Sequence, residues 1–103
     1  MYRIILLFIL ISKIGFTQDL PALFQKGIEQ YQKGNYEEMI QIYETISAKG
    51  YEGKSIYYNL GNAYFRVGKI GFAILYYEKA KKHSPSDEDV NNNLAFANSK
   101  MEI

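Results

Sequence analysis

Few side chains in this 103-residue chain could do acid–base or metal chemistry, and none stands in a pattern that such chemistry requires. The single histidine, His83, is interpreted as a residue at a helix end, and the chain has no cysteine. Glu37 and Glu38 follow a glycine turn, so they are interpreted as favourable charges at a helix N-terminus. There is no glycine-rich phosphate loop and no nucleophile–base pair. We therefore predict no catalytic residues, no metal site and no cofactor.

The charge balance also limits the classes of partner. Twelve basic and eleven acidic residues give a formal charge of +1, which provides no large basic field for nucleic acid. The short basic run Lys79, Lys81 and Lys82 is interpreted as a solvated helix face. Contact with an acidic membrane surface is the alternative, although three charges are too few for strong binding.

Glycines recur with a period of 34 residues, and this period indicates which elements position the remaining side chains. Gly27 is matched by Gly61, and Gly34 is matched by Gly68. The segments between them have apolar residues at helical intervals of three and four. A repeat of this length predicts stacked helix–turn–helix units, which present a concave surface to another protein and carry no catalytic chemistry of their own.

The repeat divides the chain into consecutive segments. Ser86 is the predicted N-cap of the last helix, with Asp89 at the capping-box position. Val90, Leu94 and Ala97 lie on one face of that helix, and the rest is polar, as a terminal helix requires. We predict an all-α fold with a first unit at 18–53, a second at 54–87 and a capping helix at 88–103.

The N-terminus has the pattern of an export signal. Arg3 gives a positive start, residues 4–11 are an unbroken apolar run, and small residues precede Gln18. The run is shorter than the ~20 residues of a membrane-spanning helix. We predict a signal peptide at 1–17 and an exported, periplasmic or envelope protein. One alternative is an uncleaved segment that holds the protein at a membrane. Another is an uncleaved hydrophobic first helix of a cytoplasmic domain.

Residues 54–87 contain aromatic and small residues, a Leu-Gly pair and a proline at fixed spacing. These are Tyr57, Leu60, Gly61, Tyr64, Ala73, Tyr77, Ala80 and Pro85. The segment resembles the tetratricopeptide repeat, a family of helix–turn–helix solenoids that bind proteins, and it fills every signature position of that family. Residues 20–53 are a weaker copy in the same register, which keeps Gly27 but has Lys26 in place of leucine. The resemblance implies a two-repeat solenoid in which the small residues allow the helices to approach closely.

The same resemblance implies which side chains line the concave groove. They are rings and carboxamides with one arginine, a composition suited to a peptide segment. The set is Phe24, Ile28, Tyr31, Tyr58, Asn59, Asn62, Phe65 and Arg66. In the alternative interpretation the rings belong to the core and the asparagines are merely solvated. Of the lysine, arginine and asparagine clamp with which some relatives hold a C-terminal carboxylate, only Asn59 is present. We therefore expect a largely apolar groove.

A narrower resemblance, carried by residues 57–65, 73–78 and 87–90, is to exported repeat proteins of bacterial aerotolerance (Bat) operons. It implies association with a membrane complex. The predicted function is thus an exported, non-enzymatic module that binds a protein or peptide, with no nucleic-acid partner. The alternative is a structural accessory that stacks end to end with itself or with a membrane subunit.

Overall fold

The protein is described by a computed structural model that covers residues 19–101. The predicted leader at 1–17 and its cleavage site lie outside the described residues. Within these residues five helices follow one another: α1 Leu20–Gln32, α2 Tyr36–Ala48, α3 Lys54–Arg66, α4 Ile70–His83 and α5 Glu88–Lys100. Each helix packs mainly on its neighbours in sequence, so the predicted all-α helix–turn–helix solenoid is confirmed. Within residues 19–101, no helix has the length and hydropathy needed to cross a bilayer.

The two turns inside the units are built alike because each contains a glycine with positive φ. Gly34 and Gly68 both have φ of 82°. The next amide reaches back five residues in each turn, from Asn35 to the Gln30 carbonyl at 2.8 Å and from Lys69 to the Tyr64 carbonyl at 3.0 Å. This six-to-one hydrogen bond closes the helix end and turns the chain into the second helix of the unit.

Two further glycines lie where a ring of the second helix packs against the first. A Cβ atom on Gly61 would lie 2.6 Å from Cδ1 and Cε1 of Tyr77. Gly27 has the same relation to Tyr43 in the first unit. The absence of a side chain at these positions allows the tyrosine ring to lie directly on the helix backbone.

The core runs along the solenoid between the helices. Its buried members are Leu23, Met39, Tyr43, Ile46, Ile56, Tyr57, Leu60, Ala63, Tyr64, Ala73, Tyr76, Tyr77, Ala80, Val90, Leu94 and Ala97. It therefore contains all the signature positions named above except three. Gly27 and Gly61 are buried beside the core, and Pro85 is exposed in the turn between α4 and α5. Alanine at 73 and 80 has no exposed surface, so a larger residue there would separate α4 from its neighbours.

The prediction that Ser86 caps the last helix is wrong, because the cap is Asp87. Asp87 has extended backbone, and its Oδ1 accepts a hydrogen bond from the Val90 amide at 3.0 Å. Its Oδ2 lies 3.0 Å from Lys54 Nζ, at the start of α3. Both contacts lower the pKa of the Asp87 carboxyl; the hydrogen bond from the Val90 amide has the larger effect and Lys54 the smaller one. A cap one residue later than predicted thus also joins α5 to α3.

A carboxylate that the sequence did not single out connects three helices. Glu44 of α2 accepts hydrogen bonds from the Tyr64 hydroxyl of α3 at 2.7 Å and from the Tyr76 hydroxyl of α4 at 2.6 Å. The two rings are stacked at 5.5 Å. Burial, and to a smaller extent the hydrogen bond to Glu44, raises the pKa of Tyr64 to about 12. Both hydroxyls therefore keep their protons at neutral pH and link the first unit to the second.

Candidate functional site

The first helices of the units and α5 line two adjoining hollows on one face of the solenoid. The first, of about 290 Å³, is bordered by Ile28, Tyr31 and Asn59, with Gln32, Met39 and Tyr43. The second, of about 240 Å³, is bordered by Tyr31, Asn62, Phe65 and Arg66, with Tyr77, Asn93 and Phe96. Tyr31 borders both hollows, and we call the two together the groove. Six of the eight predicted groove residues thus line it.

The other two predicted groove residues, Phe24 and Tyr58, pack behind the groove surface. Phe24 is half-buried and meets the Tyr43 ring edge-on, with 5.5 Å between centroids. Tyr58 is also half-buried; its ring lies 6.1 Å from the Tyr77 ring and its hydroxyl accepts a hydrogen bond from Asn93. They support the groove-lining residues and are not members of the fully buried core.

The predicted groove set lacked six residues that the structure places there: Asn93 and Phe96 of α5, Tyr77 of α4, Met39 and Tyr43 of α2, and Gln32 of α1. The repeat period contained the signal for the first two. Asn93 lies 34 residues after Asn59, and Phe96 lies 34 residues after Asn62. Phe96 is 54% exposed, so the last helix, expected to be polar on its outer face, presents a ring beside Phe65. Tyr77 was predicted to be a packing residue; its ring packs in the core, and its hydroxyl reaches the groove.

The asparagines of the second hollow are held in a hydrogen-bond network and are not merely solvated. Oδ1 of Asn62 accepts from the Tyr77 hydroxyl at 2.5 Å and from Nδ2 of Asn93 at 3.0 Å. Nδ2 of Asn93 also donates to the Tyr58 hydroxyl at 3.1 Å. These bonds join α3, α4 and α5 and fix the orientation of both carboxamides.

This network leaves one donor and one acceptor free to meet a ligand. Among the described residues, Nδ2 of Asn62 and Oδ1 of Asn93 have no hydrogen-bond partner. A carboxamide nitrogen has two N–H donors, and its oxygen is an acceptor. A neighbouring donor and acceptor match the C=O and N–H groups of a peptide chain.

The groove is nearly uncharged. Within the described part of the chain, no carboxylate borders either hollow, and Arg66 is the one charged residue that lines them. The Arg66 guanidinium lies 5.5 Å from the centroid of the Tyr36 ring. Burial raises the pKa of Tyr77 to about 12, so its hydroxyl is a proton donor at neutral pH. The groove therefore offers apolar contact and neutral hydrogen bonds more than ion pairs.

The other side chains that the sequence analysis considered for chemistry do not line the groove. Within residues 19–101, no three His, Asp or Glu side chains lie close enough together to hold a metal ion. His83 is exposed at the end of α4, with its ring 5.6 Å from the Tyr57 ring. Glu37 and Glu38 lie in the first turn of α2, as favourable charges at a helix N-terminus would.

Comparison with known proteins gives the same architecture. Two family models described as tetratricopeptide repeat match residues 20–46 and 55–87. Tetratricopeptide repeat protein 16 of Macaca fascicularis and that of Homo sapiens are each 30% identical to this chain over 75 residues. The alignment covers 73% of this chain but only 9% of each relative. The repeat register, the glycine–tyrosine contacts and these matches together show that the chain belongs to the tetratricopeptide repeat family, whose members are scaffolds for protein–protein interaction.

Proposed function

We propose that the groove binds an internal, largely uncharged segment of a partner protein. The observation that carries the proposal is the free Nδ2 of Asn62 and the free Oδ1 of Asn93. They belong to two carboxamides joined by a hydrogen bond, in a hollow that four rings and Arg66 complete. The C=O of one extended ligand residue would accept from the first, and the N–H of the same residue would donate to the second. Phe65 and Phe96, with centroids 5.5 Å apart, would receive an apolar side chain.

An internal segment fits the groove better than a charged C-terminus. A terminal carboxylate would need several cations, and Arg66 is the one cation that lines the two hollows. Because the groove is mainly neutral, we expect affinity to change little between 0.05 M and 0.5 M salt, whereas capture of a charged tail would weaken steeply.

The sharpest test is Asn62→Asp, which keeps the shape of the side chain. An aspartate oxygen can still accept from Tyr77 and Asn93, so the internal network is preserved. The free donor becomes an acceptor, which would repel a ligand carbonyl. Peptides selected from a displayed library on the parent protein should bind Asn62→Asp about 5- to 160-fold more weakly, since one lost hydrogen bond and one unpaired group cost roughly 1–3 kcal/mol.

A second variant removes more of the groove, and a matched control removes similar side chains elsewhere. Replacing Asn59, Asn62 and Arg66 together with alanine should weaken binding by a similar or larger factor. The control replaces Gln41, Thr45 and Lys81, which are exposed on α2 and α4, and changes the net charge equally. Circular dichroism establishes that each variant is folded. Unchanged peptide binding by folded groove variants would reject the groove and favour end-to-end stacking, which sedimentation velocity would detect.

We further propose that the protein acts in the cell envelope after export. The support is the N-terminal pattern of a positive residue, an apolar run at 4–11 and small residues before Gln18. Sequencing the N-terminus of protein recovered from cells should give Gln18 as the first residue. An intact Met1 on protein from the soluble cytoplasmic fraction would contradict this.

A further inference from the structure

The outer face of α4 presents apolar side chains that no described element covers. Phe72 is 53% exposed and Leu75 is 45% exposed. They are three residues apart, so they lie on the same side of the helix. With Lys69 and Gly71 they border a shallow hollow on the surface. Phe72 also stacks on the Tyr64 ring at 5.2 Å, which holds the exposed ring in place.

Positive charge is concentrated on the same helix. Residues 19–101 contain ten basic and ten acidic side chains. Four of the basic residues belong to α4 and its N-cap: Lys69, Lys79, Lys81 and Lys82. Glu78 is the single acidic residue in this segment, so its formal charge is +3. The other described residues, six basic and nine acidic, have a charge of −3. The solenoid is therefore polarised, with its positive charge around the exposed apolar pair.

The helical spacing places lysines along the line of the apolar pair. Lys79 and Lys82 follow Leu75 at intervals of four and three, while Lys69 precedes Phe72 by three. Lys79 Nζ lies 5.1 Å from the Tyr76 ring centroid and 5.5 Å from that of Tyr57, so this ammonium group is fixed at the edge of the line. We call these five residues, Lys69, Phe72, Leu75, Lys79 and Lys82, the α4 stripe.

We propose that the α4 stripe docks the protein on an anionic lipid surface. A helix face with exposed apolar side chains between lysines lies in the interface of a bilayer, where the apolar groups enter the headgroup region and the lysines meet anionic lipid. The stripe contains no hydroxyl or carboxamide side chain that would read a specific protein ligand. The groove is lined mainly by α1, α3 and α5, so it stays open when α4 rests on the surface.

The test is the partition of the full 103-residue chain onto vesicles, measured by co-sedimentation. Vesicles of phosphatidylcholine alone are compared with vesicles that contain phosphatidylglycerol. The apolar run at 4–11 is common to all variants, so it cancels when they are compared on the same vesicles. The parent should bind the anionic vesicles more strongly and should lose this preference in 0.5 M salt.

Two variants test the two parts of the stripe. Lys69→Gln with Lys82→Gln leaves the contact of Lys79 with the rings intact. It should lower the partition coefficient by about 10- to 30-fold, since each lysine near an anionic surface contributes about 1 kcal/mol. Phe72→Ser with Leu75→Ser should lower it by about tenfold or more, because the apolar side chains no longer enter the interface.

The matched control is Lys26→Gln with Lys33→Gln, which removes the same charge from exposed positions at α1. It should change the partition by less than about twofold. Equal loss in the control and the stripe variants would overturn the proposal, as would equal binding to neutral and anionic vesicles or full binding by the serine variant. Binding of the stripe to a polyglutamate peptide with no binding to vesicles would also overturn it, and would assign the stripe to an acidic protein partner.

Discussion

Replacing Gly61 with alanine tests the contact on which the packing of the second unit depends. The new Cβ atom would lie 2.6 Å from two carbons of the Tyr77 ring and 3.1 Å from Cγ. The ring cannot easily move aside, because Tyr77 is only 2% exposed and its hydroxyl is bonded to Asn62. The substitution must therefore push α4 away from α3 or break that hydrogen bond.

Two opposing effects decide the size of the change. Alanine gains up to about 1 kcal/mol over glycine inside a helix. Forcing one extra carbon into a packed contact costs about 1–3 kcal/mol, and here two ring atoms are closer than van der Waals contact allows. We expect a net loss of roughly 1–2 kcal/mol in the free energy of unfolding. For a domain of this size, that lowers the melting temperature by about 4–16 °C.

The chain provides a matched control on the next helix. Gly71 lies in the first turn of α4, and nothing lies within 4 Å of a Cβ atom built there. Gly71→Ala should therefore leave the melting temperature unchanged or raise it slightly. Thermal unfolding followed by circular dichroism compares the two variants. If Gly61→Ala has the melting temperature of the parent, the contact with Tyr77 is not the reason for glycine at this position. The same holds if replacing the ring with a smaller side chain, Tyr77→Leu, does not reduce the effect of Gly61→Ala.

Two further predictions concern the buried tyrosines. Glu44→Ala leaves the hydroxyls of Tyr64 and Tyr76 without their acceptor. Denaturant titration should therefore show a free energy of unfolding that is lower by about 1–3 kcal/mol. The loss should be much smaller in a background where both tyrosines are replaced with phenylalanine. A small effect in the parent background would mean that water replaces Glu44 as acceptor. The second prediction is that the free energy of unfolding falls at alkaline pH. Because folding raises the pKa of Tyr77 from near 10 to about 12, its contribution is complete below pH 10 and is lost as pH rises from 10 to 12, by up to about 1.4 kcal/mol per pH unit. Titrations at pH 9 and pH 11 measure the slope, which Tyr77→Phe should reduce; an equal slope in that variant would exclude Tyr77 as its source.

The periodic features of this protein were determined by the sequence alone. The glycine period predicts the turns at Gly34 and Gly68, because only a residue without a side chain adopts their positive φ at no cost. Small residues at Gly61, Ala73 and Ala80 predict close helix contacts, and the structure buries all three. These features are local or repeat at a fixed interval, so they can be recognised without knowing which helices touch. Placing the last cap at Ser86 failed because Asp87 had the further advantage of reaching Lys54, which is distant in sequence.

The contacts that complete the groove were decided only by the tertiary structure. Asn62 meets Asn93 across 31 positions, and Glu44 meets Tyr76 across 32. Each pair depends on the separation of two packed helices and on side-chain torsions, neither of which the hydrophobic period specifies. The free Nδ2 of Asn62 exists because Tyr77 and Asn93 occupy its oxygen. The repeat could therefore predict which helices line the groove, but packing alone determined which of its polar atoms remain without a partner among the described residues.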